Sequence, residues 1–270
     1  MTRPVRAAAH IWPGGTPDYR TWRAAVLRAE ELGTDIVFGY DHFHKPAVRR
    51  AANGVVLEPV QPDVPNFEAW TALASWAEIT TTTEIGVLVT GIGYRNPDLL
   101  ADMARTVDHI SGGRLILGVG AGWFEKDYVV YGYDYGTLRS RMDLFTEGVR
   151  RIEHRLANLT PKPLRQIPIL IGGAGERRTL PLVGRHAHIW HSGLDRETFR
   201  RKNDIVKQHA AAAGRDDSVI ERATNWTTAS QADILLAEDI TLHVTELKPT
   251  DKGYDFTTLT DLLAWRDANR

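Results

Sequence analysis

The chain contains no cysteine. That absence removes disulfides, thiolate nucleophiles and cysteine-ligated metal sites together. It has no excess of either charge: 33 Lys and Arg face 34 Asp and Glu, for a net charge of −1. Bulk electrostatics therefore attract neither nucleic acid nor an anionic membrane. Long apolar runs are missing too. The opening MTRPVRAAAHIWPGG lacks the apolar stretch of a signal peptide, and no later segment is long enough to span a bilayer. The expectation is a soluble, cytoplasmic protein. What the chain does have is 43% hydrophobic residues over 270 positions, enough for a large core. It also carries eight Trp and ten His, more than a scaffold needs.

Short apolar runs alternate with longer amphipathic ones. Val5–Trp12 reads as a strand and Tyr19–Leu32 as a helix, with Trp22, Ala25, Val26, Ala29 and Leu32 on one face. Asp35–Tyr40 is a second strand, followed by a Pro- and Gly-bearing loop, Asp41–Asn66, and a helix at Phe67–Thr80. Glu84–Thr90 and Leu115–Gly120 are strands on either side of a helix at Pro97–Ser111. A long helix, Leu138–Leu156, precedes a strand at Ile169–Gly172 and a helix at Glu176–Arg185. His188–Ser192 and Asp195–Ala213 make the next strand and helix. Ile220–Thr228, Gln231–Glu238, Ile240–Glu246 and Leu259–Ala268 complete two more units. Eight strand–helix units without a linker predict one α/β domain over residues 1–270, a single (β/α)8 TIM barrel. The runner-up is an open doubly wound sheet.

Barrel active sites lie at the C-terminal ends of the strands. Polar, aromatic and glycine residues gather at those ends: Trp12-Pro13-Gly14-Gly15, Asp41-His42-Phe43-His44, Gly91-Ile92-Gly93-Tyr94, Ala121-Gly122-Trp123-Phe124-Glu125, Gly173-Ala174-Gly175 and His191-Ser192-Gly193. The stretch Gly118–Gly136, GVGAGWFEKDYVVYGYDYG, sets a bare backbone beside four tyrosines. Either a strand end runs into an ordered surface loop, or the backbone is bare for a flat ligand with the loop as a pocket wall.

Several strand ends together resemble the luciferase-like monooxygenase superfamily, and within it the oxidoreductases that use coenzyme F420. The pieces are TPDY at Thr16–Tyr19, DHF at Asp41–Phe43, EAWTALA at Glu68–Ala74, the long block Val89–Glu125, YG at Tyr131-Gly132, and Pro168–Trp190. Beyond Trp190 the match fades. Only twelve residues, Ala157–Pro168, join the long helix to the next strand, where relatives carry more. The resemblance implies hydride transfer between F420 and a small organic substrate. FMN is the alternative cofactor, for a monooxygenase, and a relative that binds cofactor without catalysis is a further alternative. Homodimers are common among such relatives, and the Met142–Leu156 seam is a candidate interface.

The resemblance also assigns residues. Thr90, Gly91, Gly120, Ala121, Gly122 and Trp123 would line the ring, with Gly118, Gly120 and Gly122 letting the backbone pack close beneath it, although these glycines also suit plain packing of a tight strand end. A non-prolyl cis peptide is implied between Gly86 and Gly91. Gly172, Gly173, Ala174 and Gly175 would cradle the phosphate at a helix start, aided by Arg177 and Arg178. His42 is the candidate proton donor, with Asp41 orienting it and Glu125 the second candidate acid. Arg95 and Asn96 sit either at the site mouth or, for Asn96, as a helix cap. A reading from another class is a zinc-dependent barrel hydrolase using His42-x-His44, with His188, His191 or His243 as later ligands.

Overall fold

The computed structural model describes residues 3–51 and 54–270. In chain order, the first units are β1 (Arg6–Ile11), α1 (Tyr19–Glu31) and β2 (Ile36–Asp41). A hairpin of β3 (Pro46–Ala51) and β4 (Gly54–Pro59) follows, then α2 (Ala69–Ile79), β5 (Glu84–Gly91), α3 (Pro97–Ile110) and β6 (Leu115–Gly120). Next come α4 (Glu125–Val130), α5 (Leu138–Asn158), β7 (Ile169–Gly172), α6 (Thr179–His186), β8 (Ile189–His191) and α7 (Arg196–Ala212). The chain continues with β9 (Glu221–Asn225), α8 (Ala229–Leu236), β10 (Ile240–Leu247), the short pair β11 (Pro249–Thr250) and β12 (Gly253–Tyr254), and α9 (Thr257–Ala268).

Eight strands close into a barrel in the order β1-β2-β5-β6-β7-β8-β9-β10, with β10 pairing back onto β1. Every pairing around it is parallel. The alternation of strands and helices dictates this: a parallel neighbour needs a crossover, and here the crossovers are amphipathic helices. The expected (β/α)8 barrel is the observed fold. Two layers of apolar side chains hold it. Ala8, Ile36, Phe38, Ile116, Leu170, Ile189, Ala223, Leu242 and Val244 fill the barrel interior. The larger layer lies between strands and helices and includes Trp22, Trp76, Trp190 and Phe145. Arg6 closes the floor by pairing with Glu84 at 2.5 Å and with the buried Glu221.

The helix starts follow local chemistry. Asp18, Glu68, Asn96, Thr137, Asp195 and Thr228 cap α1, α2, α3, α5, α7 and α8 through their side chains, as orphan N–H groups require. Asn96 is thus a cap, accepting from Asp98 N at 2.9 Å beside Pro97.

Three readings change. The Asp41–Asn66 loop contains the β3–β4 hairpin, whose PAVRRA and GVVLEP lack the strict alternation that marks a strand in sequence. The aromatic stretch contains a helical turn and a half, α4. The Met142–Leu156 seam is not a free ridge: Met142, Phe145, Val149 and Ile152 are buried in the layer against the barrel.

Candidate active site

A cavity of about 440 Å³ opens at the C-terminal ends of the barrel strands. Its two sides differ. Leu88, Val89 and Gly91 of β5, Gly120 of β6 with Ala121 and Gly122 beyond it, and Gly172 of β7 with Gly173 form a wall without an ionisable side chain. His10 and Trp12 at the end of β1, His191 of β8, Asn225 of β9 and Glu246 of β10 form the polar wall. His42, just past β2, stands between them, and Trp123, half exposed, sits at the rim.

The bare wall is built around Val89. The Leu88–Val89 peptide is cis, inside the expected Gly86–Gly91 span, and the register of β5 shifts there against both neighbours. A Cβ on Gly120 would lie 2.7 Å from Val89 Cγ2, and one on Gly172 would lie 3.3 Å from Val89 Cγ1. On Gly118 a Cβ would run into the Val87 carbonyl oxygen. Gly122 has φ +73°, and a Cβ there would collide with the Tyr128 hydroxyl. The glycines are therefore bare first for the barrel's own displaced strand. The flat, unadorned wall that faces the cavity is the consequence. Gly118 faces Val87 and is not part of the cavity lining.

His42 is held from behind. Its Nδ1 lies 2.8 Å from Oδ2 of Asp127, one turn into α4. Asp127 is fully buried and accepts three more hydrogen bonds, from His44 N (3.1 Å), His44 Nδ1 (2.9 Å) and the Tyr94 hydroxyl (2.9 Å). Burial works to raise the Asp127 carboxyl. The hydrogen bond and charge of His42, with the bonds from His44 and Tyr94, outweigh it and hold the group below its usual range. A carboxylate only accepts, so His42 Nδ1 carries a proton and Nε2 is the nitrogen left to the cavity. The sequence reading passed over Asp127. It lies 85 residues from His42 and, inside EKDY, looks like any loop carboxylate.

Asp41 does not meet this cluster. It is buried, accepts from the Thr90 hydroxyl, and takes both arms of Arg95 at 2.5 and 3.1 Å. Burial pushes its carboxyl up and Arg95 opposes that. Arg95 also reaches Glu68 at 2.6 Å, and Trp70 Nε1 donates to Thr90 at 2.8 Å. Asp41 and Thr90 thus tie β2 to β5 beneath the surface and do not line the cavity. Glu125 is also outside the lining, exposed on the first turn of α4. Both carboxylates expected near His42 are replaced there by Asp127.

Gly172 and Gly173 line the cavity, joined by Thr179. Ala174 and Gly175 do not, and the Ala174 carbonyl accepts from Lys202 at 2.7 Å. The helix expected at Glu176 begins at Thr179. Arg178 turns to Asp143 at 2.5 Å, while Arg177 is exposed. The aromatic loop packs behind the main cavity. Tyr131 and Tyr133 join Phe43, Tyr94 and Arg95 around a second cavity, and Tyr128 packs at a tilt against Tyr94 and edge-on to Tyr135.

The histidines of the zinc reading are scattered. His42 and His44 both spend Nδ1 on Asp127, His188 lies at a separate cavity beside Ile169, and His243 packs between Trp226 and Trp265. Among the described residues no group of three or more His, Asp or Glu is placed to hold a metal ion, and no helix is long and apolar enough to cross a membrane.

The fold and cavity define a luciferase-like TIM barrel with one bare and one polar face. The family model for luciferase-like monooxygenases matches residues 4–253, and the chain belongs to that family of oxidoreductases and monooxygenases. An uncharacterized protein of Mycobacterium tuberculosis is 26% identical over 210 residues, 72% of this chain and 74% of its own length. Among solved structures, an F420-dependent secondary alcohol dehydrogenase in complex with an F420-acetone adduct aligns with a TM-score of 0.78 at 16% identity. That alignment covers 99% of this chain and 100% of that one. A type II Baeyer-Villiger monooxygenase, the oxygenating constituent of 3,6-diketocamphane monooxygenase from Pseudomonas putida in complex with FMN, aligns at 0.59 and 17% identity. It covers 87% of this chain and 72% of that one.

Proposed function

We propose that this protein is an oxidoreductase that transfers a hydride between coenzyme F420 and a small organic substrate, acting in the cytoplasm as a single domain. The observation that carries the reading is His42: an imidazole fixed at Nδ1 by a buried carboxylate, with Nε2 left for the cavity, beside a wall of bare backbone. The end-to-end likeness to an F420-dependent alcohol dehydrogenase supports it.

The residues fit a flat ring cofactor. Leu88, Val89, Gly91, Gly120, Ala121 and Gly122 offer an apolar face with no charged side chain in the way. Gly172 and Gly173, with Thr179, lead toward the start of α6, the place for a phosphate. When bound, a deazaflavin supplies a two-electron hydride donor or acceptor. His42 Nε2 handles the matching proton. In the reducing direction it would give a proton to the carbonyl oxygen, and in the oxidising direction it would take the hydroxyl proton back. Asp127 faces the imidazole ring throughout and holds its orientation and tautomer through the bond to Nδ1.

FMN is the second reading, favoured by the FMN-bound family member of like fold. Titration of the apo protein with each cofactor, followed by fluorescence, decides. The expected result is tighter binding of F420; tighter binding of FMN would favour the monooxygenase. We carry the homodimer as a proposal as well, and a monomer at micromolar concentration in light scattering contradicts it.

A further inference from the structure

The polar wall of the cavity comes from β1 and β8–β10, largely the part of the chain that the family resemblance leaves unassigned. We propose that this wall recognises the substrate, and that the substrate is an uncharged molecule with two oxygen functions: one that reacts beside His42, and a second that faces Asn225 and Trp12. The inference rests on the hydride-transfer reading for the first oxygen only.

Three observations lead there. First, the wall carries hydrogen-bonding groups without free charge. Glu246 and Lys248 neutralise each other at 3.0 Å, and Lys248 Nζ also lies 4.5 Å over the Trp12 ring. Second, both imidazoles are held neutral. Burial, with the nearby His191, Lys248 and His42, lowers His10 to about 3. Burial lowers His191 to about 4, against the pull of Asn225 and Glu246. Neutral imidazoles offer an anion no attraction. Third, donor capacity is left unspent on this wall. His191 Nε2 and Asn225 Oδ1 satisfy each other at 3.1 Å, which leaves the Asn225 amide N–H groups. Trp12, 5% exposed, and His10, 7% exposed, each carry a buried ring nitrogen, Nε1 and Nε2, with no hydrogen-bond partner among the described residues. An indole N–H can only donate, so its complement is an oxygen acceptor. An unmet buried donor is costly, which makes a ligand oxygen here worth more than a methyl group in its place. A bare hydrocarbon tail does not match this wall.

The test uses a shape-matched pair of probes. Hydroxyacetone and 2-butanone have the same number of heavy atoms and differ by a hydroxyl for a methyl; pyruvate adds charge. Apo protein labelled with 15N-histidine is titrated with each by NMR. Hydroxyacetone should perturb His191 and His10 and bind about tenfold tighter than 2-butanone, the size of one well-made hydrogen bond. In Asn225→Leu the preference should collapse to about unity, while the thermal midpoint and the F420 titration stay near wild type. Should Asn225→Leu unfold, Trp12→Phe, which deletes the indole donor, provides the same comparison. Equal or tighter binding of 2-butanone, tightest binding of pyruvate, or no perturbation of either histidine overturns the proposal. If hydroxyacetone is preferred but F420 does not bind, the cofactor reading fails and this one stands. F420 binding without the preference fails this one alone.

Discussion

The two walls of the cavity are made of different materials. On β5–β7 the backbone itself is the surface: Gly91, Gly120, Gly172 and a peptide bond at Leu88–Val89 leave almost nothing protruding. On β1 and β8–β10 the surface is side chain: two imidazoles, an indole, an amide and a carboxylate. A backbone wall suits a flat partner whose identity never changes, because it discriminates by shape. A side-chain wall can be altered one residue at a time without disturbing the barrel. The comparison separates what the fold makes available from what this chain selects.

The largest expected effect lies between the walls. His42→Ala should lower turnover by ~10²–10⁴-fold, the usual contribution of a placed proton donor, while cofactor affinity measured by fluorescence stays within a few-fold. Lost affinity with intact turnover would make His42 a binding residue instead. Asp127→Asn keeps the shape but presents an amide to both imidazoles. It should cost about 10–10²-fold in turnover, less than losing the imidazole itself, and shift the 15N signals of His42 and His44 together. Signals unchanged in the variant would show that Asp127 does not set the tautomer.

The bare wall breaks differently. Gly120→Val drives a branched side chain into Val89. Cofactor binding should fall by at least tenfold, with the thermal midpoint reduced as in other overpacked sites. If affinity survives, the ring does not lie there.

The polar wall has a signature in pH. His10 and His191 lie near 3 and 4 when folded, against an ordinary 6.5. Below 6.5 the unfolded chain therefore takes up protons that the folded one refuses. Their full contribution is present above pH 6.5 and is lost as the pH falls toward 4 and then 3. The thermal midpoint should decline across that window, and His191→Phe should flatten the decline. Asp127 acts lower: its depressed carboxyl withdraws support only below about 3.8. A parallel decline in His191→Phe would mean that the wall is not dry enough to hold the ring neutral. The smallest effect is on neither wall. Glu125→Gln, at an exposed position outside the lining, should leave turnover and stability within about twofold.

Much of this was legible in one dimension. The alternation of apolar runs carries the eight strand–helix units, because a strand buried on both faces and a helix buried on one leave distinct periods. Caps such as Asn96-Pro97 are local chemistry and read directly. The glycines at 91, 120, 122, 172 and 173 mark backbone that must stay bare, and their place at strand ends carries them to the cavity once the barrel is known. His42 falls with them. Other features were invisible for a physical reason: they depend on which distant side chains meet. Asp41 looked like the partner of His42 because it is adjacent, yet successive residues leaving a strand diverge, and Asp41 turns to Arg95 while His42 meets Asp127. Gly118 looked equivalent to Gly120 and shares its face of β6, but it lies one layer deeper, against the Val87 carbonyl and Val89, and does not reach the cavity. Trp12 and His191 stood at readable strand ends, but His10, Asn225 and Glu246 share no spacing with them; only closure of β10 onto β1 draws all five to one side of one cavity. The sequence by itself determined the barrel and its bare backbone, which follow from local period and the missing Cβ. Tertiary structure alone decided the partner of the proton donor and the polar face, because closing the barrel converts separations of more than two hundred residues into contact.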